Sequence, residues 1–365
     1  MRQLSEERFT RLEHHLLAIV HDERRFLAMG LELYSTNELS QPLVGEISAF
    51  LDSQETSHVF QFPQWSVSGA RFALFREGGD IRWFVTFGTH LPLGSSVPWV
   101  RALIANRGPV CDDQQMWQAA SEEFIEQMRQ ERFTYFDAVP DWIRTAPTDP
   151  ENRLRNSGWQ EVGAQRTSLR LEITKSEDDI FANFRKNTRY EIRRAERIGV
   201  SVAPAAGDMD INDFLSSYAR LALRKGFAAE APDDLRSAIK WLTTADARGG
   251  LLLARFENQV YGGAVIARSG RRCWYVWGAT DKQDHFNVGH ILQWKALQWA
   301  RSHGCDEYDF GGYTPGATSG PAWFKAGFGG KVVSFVRPHR LIIRRGCYRM
   351  FNLVLPIREL TNVRQ

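Results

Sequence analysis

The sequence predicts a mixed α/β fold in two domains, and three observations carry that reading. Its 365 residues exceed one ordinary domain and suffice to bury two cores. Strand-like runs joined by turn residues occur in both halves, and segments of helical period alternate with them. The halves echo each other in this order of elements while sharing little residue-level similarity.

Residues 1–55 read as a helical N-terminal extension: Leu12, Leu16 and Val20 fall at helical spacing, and Glu46 to Leu51 gives a second short helix. The first domain spans 56–165. Within it, Arg71 to Arg76 and Ile81 to Phe87 flank Gly78-Gly79-Asp80 and predict a hairpin. A helix over about 113–130 and a strand over Phe133 to Ala138 follow. Pro140, Pro147 and Pro150 then punctuate the way to a helix over Asn152 to Ser157. The second domain spans 166–338 and repeats the grammar. Leu251 to Phe256 and Val260 to Arg268 form a hairpin over Glu257-Asn258-Gln259, and a strand covers Arg272 to Trp277. A helix covers about 288–303, and the short strand Tyr308-Asp309-Phe310 runs into Gly311-Gly312. Residues 339–365 read as a basic tail.

Composition narrows the function classes. Hydrophobic content of 43% and charged content of 24% are those of an ordinary globular protein. A formal net charge of +3 rules out the chain as a diffuse polyanion binder, so an anionic partner must meet a local patch. Cys111, Cys273, Cys305 and Cys347 are scattered without a CxxC pair, which suits reduced thiols, not a disulfide framework or zinc site. The opening MRQLSEERFTRLEHHLLAIV has no long apolar stretch, and no later run is long enough to span a bilayer. A cytoplasmic location is the expectation. HExxH, Walker and GxSxG patterns do not occur, which removes the usual support for catalytic metal and serine hydrolase chemistry.

Two segments carry most of the chemical information. In RKNTRYEIRRAERIGV, Arg185, Arg189, Arg193 and Arg197 recur every fourth residue and make one basic ridge on a helix. Phe181, Phe184, Ile192 and Ala195 fall on another face and anchor it. The ridge is either a solvated face or a seat for a phosphate-bearing substrate or RNA. In YDFGGYTPGATSGPAWFKAGFGG, a strand ends in paired glycines, and a loop leads to Trp323-Phe324-Lys325. Glycines let a ligand approach the backbone closely. Lys325 either faces a developing negative charge with a poorly solvated ammonium, or snorkels over Phe324 and Phe328 from a surface loop. Arg224-Lys225-Gly226-Phe227 ends a helix, and Trp274-Tyr275-Val276-Trp277-Gly278 is a ring-rich strand.

Taken in order, these segments resemble the Fem family, non-ribosomal peptidyltransferases that build peptidoglycan bridges from aminoacyl-tRNA. The resemblance runs from about Gln61 to Pro338. It rests on Gln64-Trp65, Arg107-Gly108-Pro109-Val110, Thr167 to Leu171 and the basic helix after Phe184. Trp274 to Ala279, Leu292-Gln293-Trp294 through Trp299-Ala300, Asp309 to Gly312 and Phe324-Lys325 complete it. The resemblance implies two tandem GNAT-like domains and a substrate cleft. It implies an aminoacyl ester donor, aminoacyl-tRNA, as co-substrate with no further cofactor, and an amine on the stem peptide of a cell-wall precursor as acceptor. It places the family lysine on Lys325 as oxyanion stabiliser, the substrate-phosphate arginine on Arg224, a site tyrosine on Tyr275 and the tryptophan of the first domain on Trp65. Arg185, Arg189 and Arg193 then become contacts for phosphates of tRNA or precursor.

The chain departs from the family in three places. Trp65 is followed by Ser66-Val67-Ser68 where short members carry a lysine, Val139 stands where they carry a carboxylate, and the second domain lacks a helical-hairpin insertion. The first two departures bear on the acceptor. The basic stretch Pro338 to Arg349, interleaved with Leu341, Ile342, Ile343 and Tyr348, either packs as a final helix or touches the anionic inner face of a membrane. Two other functions compete. An acetyl-CoA-dependent GNAT acetyltransferase would hold pyrophosphate on a Gly-rich turn, and Asn287-Val288-Gly289-His290 lacks that pattern's second glycine. A non-catalytic RNA or precursor binding module would need Lys325 only for structure.

Overall fold

The computed structural model describes residues 30–65, 69–95, 97–111, 114–144, 154–244, 248–280 and 287–362. The helical extension over Leu12 to Val20, Ser66-Val67-Ser68 and the start of the helix at Asn152 lie outside them.

The chain builds two compact units, and neither is contiguous in sequence. The first takes 30–50, 69–138 and 340–362 of the described residues, and the second takes 51–65 and 139–339. A linear cut at 165/166 and 338/339 therefore does not follow the packing. Residues 139–144 and 154–165 pack with the second unit, and the segment read as a tail is a working part of the first.

The described chain begins with β1 (Gly30–Ser35) and α1 (Gln41–Ser53), a longer helix than Glu46 to Leu51. Then come β2 (Arg71–Glu77), β3 (Asp80–His90), β4 (Ala102–Asn106), β5 (Val110–Cys111), α2 (Gln114–Gln130) and β6 (Tyr135–Val139). The expected hairpin is β2–β3, in antiparallel register from Arg71↔Phe87 to Glu77↔Asp80. Phe124 of α2 packs on Trp83, Phe87 and Phe136 at ring-centroid distances of 5.6, 5.2 and 5.3 Å and roots the helix on the sheet.

The second unit follows with the two-residue β7 (Gln160–Glu161), β8 (Thr167–Glu172), α3 (Glu177–Ala182), α4 (Lys186–Arg197), β9 (Ser201–Pro204) and α5 (Asp208–Lys225). Next come α6 (Pro232–Thr244), β10 (Gly249–Phe256), β11 (Gln259–Ser269), β12 (Arg272–Thr280) and α7 (Val288–Ser302). The unit closes with β13 (Glu307–Gly312), α8 (Gly320–Ala326) and β14 (Lys331–Ser334). Its seven strands run in the order β14-β8-β13-β12-β11-β10-β9. The β10–β11 turn is tighter than the three residues expected: Phe256 pairs with Gln259, and Glu257 and Asn258 alone turn the chain at φ of 49° and 65°. Along β10 and β11, Leu252, Ala254, Ala264 and Ile266 face a core shared with Ile192 of α4 and Ile291, Leu292 and Leu297 of α7. The alternate residues face α5, where a side chain at Gly263 would strike Phe214 at 2.7 Å.

The chain then returns to the first unit as β15 (His339–Ile342) and α9 (Arg345–Asn362). That sheet runs β1-β2-β3-β4-β6-β15, with β5 on β3. Arg340 holds β15 by a bidentate bond to Asp137 (2.6 and 2.8 Å) and lies 3.9 Å over the Tyr135 ring. Such a segment is not a tail.

Candidate active site

The site lies in the second unit, where the sheet's parallel pair opens. β12 and β13 pair at Arg272↔Glu307, Cys273↔Tyr308 and Trp274↔Asp309, and their ladder stops there. β12 continues to Thr280 on β11 alone, while β13 runs on to Gly312 through a shift against β8 between Asp309 and Gly312. The opening leaves the backbone around Tyr275, Gly311 and Gly312 free for other partners.

Lys325 takes one of them. It sits on α8, not on the surface loop that one reading of the sequence allowed, and its Nζ donates 2.7 Å to the Gly312 carbonyl. Burial lowers its pKa from 10.5 to about 8, and the Asp309 carboxylate opposes part of that fall. The ammonium therefore holds its charge at neutral pH while being poorly solvated. Phe324 and Phe328 flank it, and Phe328 is fully buried beside Phe184 and Phe310.

Tyr275 meets the same point from β12. A side chain at Gly311 would lie 3.4 Å from the Tyr275 carbonyl and 3.9 Å from Lys325 Nζ, so that glycine (φ 72°) is where strand and lysine converge. The Tyr275 ring lies against the backbone of Gly278, whose missing Cβ would fall 1.8 Å from the phenol oxygen. Burial, reinforced by Tyr218, pushes the phenol up to about 12 and keeps it neutral. A β-bulge at Val276, between the pairs Ile266↔Tyr275 and Val265↔Trp277, sets this placement.

Trp65 belongs to the same unit and stacks on Trp277 at 5.0 Å and 23°, two residues along β12 from Tyr275. Trp241 of α6 meets it edge-on at 6.1 Å. Arg224 is exposed near the C-terminus of α5, and among the described residues it makes no hydrogen bond or ion pair. It follows Tyr218 by six residues, about 9 Å along the helix axis.

The basic ridge turns out to have intramolecular partners. Arg185 donates to the Trp323 carbonyl at 3.4 Å and lies 5.3 Å over the Trp323 ring, which ties α4 to α8. Arg189 donates to the carbonyls of Ala182 (2.6 Å) and Phe184 (2.5 Å), and Arg193 lies 5.2 Å over Phe181. Phe184, Ile192 and Ala195 are buried as expected. The regular spacing thus reflects in part how α4 is fastened. Arg185 and Arg193 remain exposed and keep donors toward solvent.

Sequence reasoning missed the charged layer beneath the site. Asp309, 2% exposed, accepts from Ser168 Oγ, from Arg170 Nε (2.9 Å) and from the Gly311 amide (2.8 Å). It therefore holds the glycine whose neighbour carries Lys325. Arg170 is also buried and lies 3.9 Å from Asp141, which pairs with Arg166 at 3.2 Å. A carboxylate thus stands just after Pro140 instead of at Val139, and it faces these arginines. The signal was a lone acid between Tyr308 and Phe310 and a lone arginine between Leu169 and Leu171, since charges in apolar strands must find each other. His290, at the start of α7, packs 4.8 Å from Phe324, and burial lowers its pKa to about 4. It braces the ring beside Lys325 as a neutral imidazole.

Among the described residues, no group of three or more His, Cys, Asp or Glu is placed to hold a metal ion. Nor is any helix there long and apolar enough to cross a membrane.

Residues 182–325 match the family described as acetyltransferase (GNAT) domain, a stretch that begins at the end of α3 and ends on Lys325. The UDP-N-acetylmuramoylpentapeptide-lysine N(6)-alanyltransferase of Weissella viridescens is 23% identical over 224 residues, covering 57% of this chain and 65% of that enzyme. The lipid II:glycine glycyltransferase of Staphylococcus haemolyticus is 39% identical over 64 residues, 17% of this chain and 15% of the relative. The matches thus span less than two thirds of either curated relative. Among solved structures, FemX superposes with a TM-score of 0.74 at 17% identity, covering 87% of this chain and 99% of that one. That likeness is one of fold, and it extends over both units. The chain is thus similar in sequence to an alanyltransferase and a glycyltransferase named for peptidoglycan precursors, and it shares the tandem GNAT-like fold of FemX.

Proposed function

We propose that this protein transfers an aminoacyl group from aminoacyl-tRNA to an amine on the stem peptide of a peptidoglycan precursor. The observation that carries the reading is Lys325: a cation with depressed pKa, held on a backbone carbonyl where two parallel strands part. An aminoacyl ester is already activated, so positioning and oxyanion stabilisation suffice and no covalent enzyme intermediate is needed. The acceptor nitrogen attacks the ester carbonyl carbon, and the carbonyl oxygen gains charge as the tetrahedral centre forms. The Lys325 ammonium exchanges the Gly312 carbonyl for that oxygen. Collapse of the centre breaks the carbon–oxygen bond, the ribose oxygen takes up a proton, and the nitrogen loses one. Tyr275, neutral at pH 7, holds its hydroxyl over Gly278, further along β12, where it supplies a hydrogen-bond donor for a substrate. Arg224, without an ion pair among the described residues, supplies a cation for a substrate phosphate, and Arg185 and Arg193 extend the positive surface along α4. Trp65 on Trp277 supplies a flat apolar wall. The relatives named above act on peptidoglycan precursors, and the shortfall of the lysine after Trp65 favours a lipid-linked acceptor met at the inner face of the membrane.

The match to the acetyltransferase domain favours a second reading, acetyl transfer from acetyl-CoA. Asn287 caps α7 through the Gly289 amide at 2.9 Å, a geometry that also suits a pyrophosphate. Purified protein offered charged tRNA or acetyl-CoA, each with a lipid-linked or a nucleotide-linked precursor, separates the readings. Labelled aminoacyl product is expected. Product from acetyl-CoA alone overturns the proposal, and product from neither donor, with precursor still bound, leaves a binding module.

A further inference from the structure

The first unit carries a surface that its own chemistry leaves unfinished. The segment from His90 to Cys111 contains no carboxylate, and neither does the segment from Arg340 to Leu353. The fold brings the two together. Leu93, Val97 and Val100 from the loop after β3 share one apolar cluster with Tyr135 and with Tyr348 and Phe351 of α9. Thr134 reinforces the junction, with its hydroxyl reaching the Trp99 carbonyl and its own carbonyl accepting from the amides of Ile343 and Arg344.

Outside that cluster the same two segments turn large apolar side chains to solvent. Trp99 and Leu91 are each 39% exposed, Met350 is 55% and Leu353 is 72%. On α9, Tyr348 and Phe351 point to the cluster, while Arg345, Arg349, Met350 and Leu353 fall on the opposite arc of the helix. Arg345 and Arg349 are exposed, and no ion pair engages them among the described residues. The acids of the elements packed nearby are occupied: Asp137 by Arg340 and Glu131 by Arg71.

We propose that this face of the first unit, the loop carrying Leu91 and Trp99 together with the outer arc of α9, docks on an anionic lipid bilayer. A small set of protruding apolar side chains with a tryptophan, beside arginines without ion pairs among the described residues and in two segments (90–111 and 340–353) that carry no carboxylate, fits the boundary between headgroups and acyl chains. Its positive charge is complementary to anionic headgroups. A protein groove would demand a wider, shape-specific apolar area. The proposal rests on the aminoacyl-transfer reading only for what is delivered there, since docking needs no donor or acceptor.

The test uses the full chain and sucrose-loaded vesicles of phosphatidylcholine, with and without about one third phosphatidylglycerol, in the absence of substrates. Partitioning at least about tenfold stronger onto the anionic vesicles is expected, and it weakens as salt is raised. Met350→Glu with Leu353→Glu is expected to reduce it about tenfold or more without moving the unfolding midpoint. Arg349→Glu serves as a second variant should the pair disturb α9, and Met209→Glu, on exposed α5 of the other unit, leaves binding unchanged. Equal binding to neutral vesicles, or anionic binding untouched by the α9 variants, overturns the proposal. So does a dimer in sedimentation velocity that the α9 variants dissolve. Transfer activity measured with a soluble precursor reads the other proposal, so either can fail alone.

Discussion

Replacing Lys325 tests the proposed chemistry at its centre. Its pKa falls from 10.5 to about 8, so its charged form is disfavoured in the resting site. At 1.36 kcal/mol per unit that is about 3 kcal/mol, or about 2 kcal/mol once solvent at the half-buried amine is allowed for. An oxyanion forming within reach recovers that energy in the transition state only, which makes a loss of about 30-fold to 100-fold in kcat/KM the expectation for Lys325→Met. The same change removes a poorly solvated charge from the folded state, so stability toward urea at pH 7 is expected to hold or rise. The sign of the pH effect follows from the lysine being active as a cation. The ratio of wild-type to Lys325→Met activity should stay high below pH 7 and fall as pH rises through about 8. Taking the ratio cancels titration of the acceptor amine. Lys325→Arg keeps a cation that does not titrate, so whatever activity it retains should lack that alkaline fall. Steady-state transfer of labelled amino acid from pH 6 to 10 provides the data. A wild-type-to-Met ratio independent of pH, or a Met variant as active as wild type, refutes the role.

Asp309→Asn leaves buried Arg170 without its 2.9 Å counter-charge and should cost about 3 kcal/mol or more in chemical denaturation. It also withdraws the charge that holds the lysine's pKa up, so the alkaline fall in activity should move to lower pH. Gly278→Ala places a methyl where the Tyr275 ring lies, and a destabilisation of about 1–3 kcal/mol with activity reduced to that of Tyr275→Ala is expected. Arg224→Ala should change stability by less than about 0.5 kcal/mol, since the side chain is exposed, while KM for the phosphate-bearing substrate rises and its salt dependence flattens. An unchanged KM removes Arg224 from the site.

Local chemistry was legible in the sequence wherever neighbouring residues decide the outcome. Gly78-Gly79 and Glu257-Asn258 made the two expected hairpins, each one residue shorter than the turn read from the sequence, because turn residues act within four positions, and the helices at Gln114, Lys186 and Val288 followed their apolar periods. Lys325 and Tyr275 stood out in the sequence only through motif order, and the fold brings the Lys325 ammonium and the Tyr275 carbonyl to Gly311. What needed the tertiary structure was every outcome set by residues far apart in the chain. The arginines of α4 looked like a free ridge because spacing cannot show that Arg185 lies on Trp323 or that Arg189 folds back to Phe184. Residues 340–353 looked like a tail because their partners Asp137 and Tyr135 stand some two hundred positions earlier. Asp309 is silent in sequence for the same reason. Its meaning comes from Ser168, Arg170 and Gly311, and only burial, where a charge must be met or neutralised, turns those four residues into one device beneath Lys325.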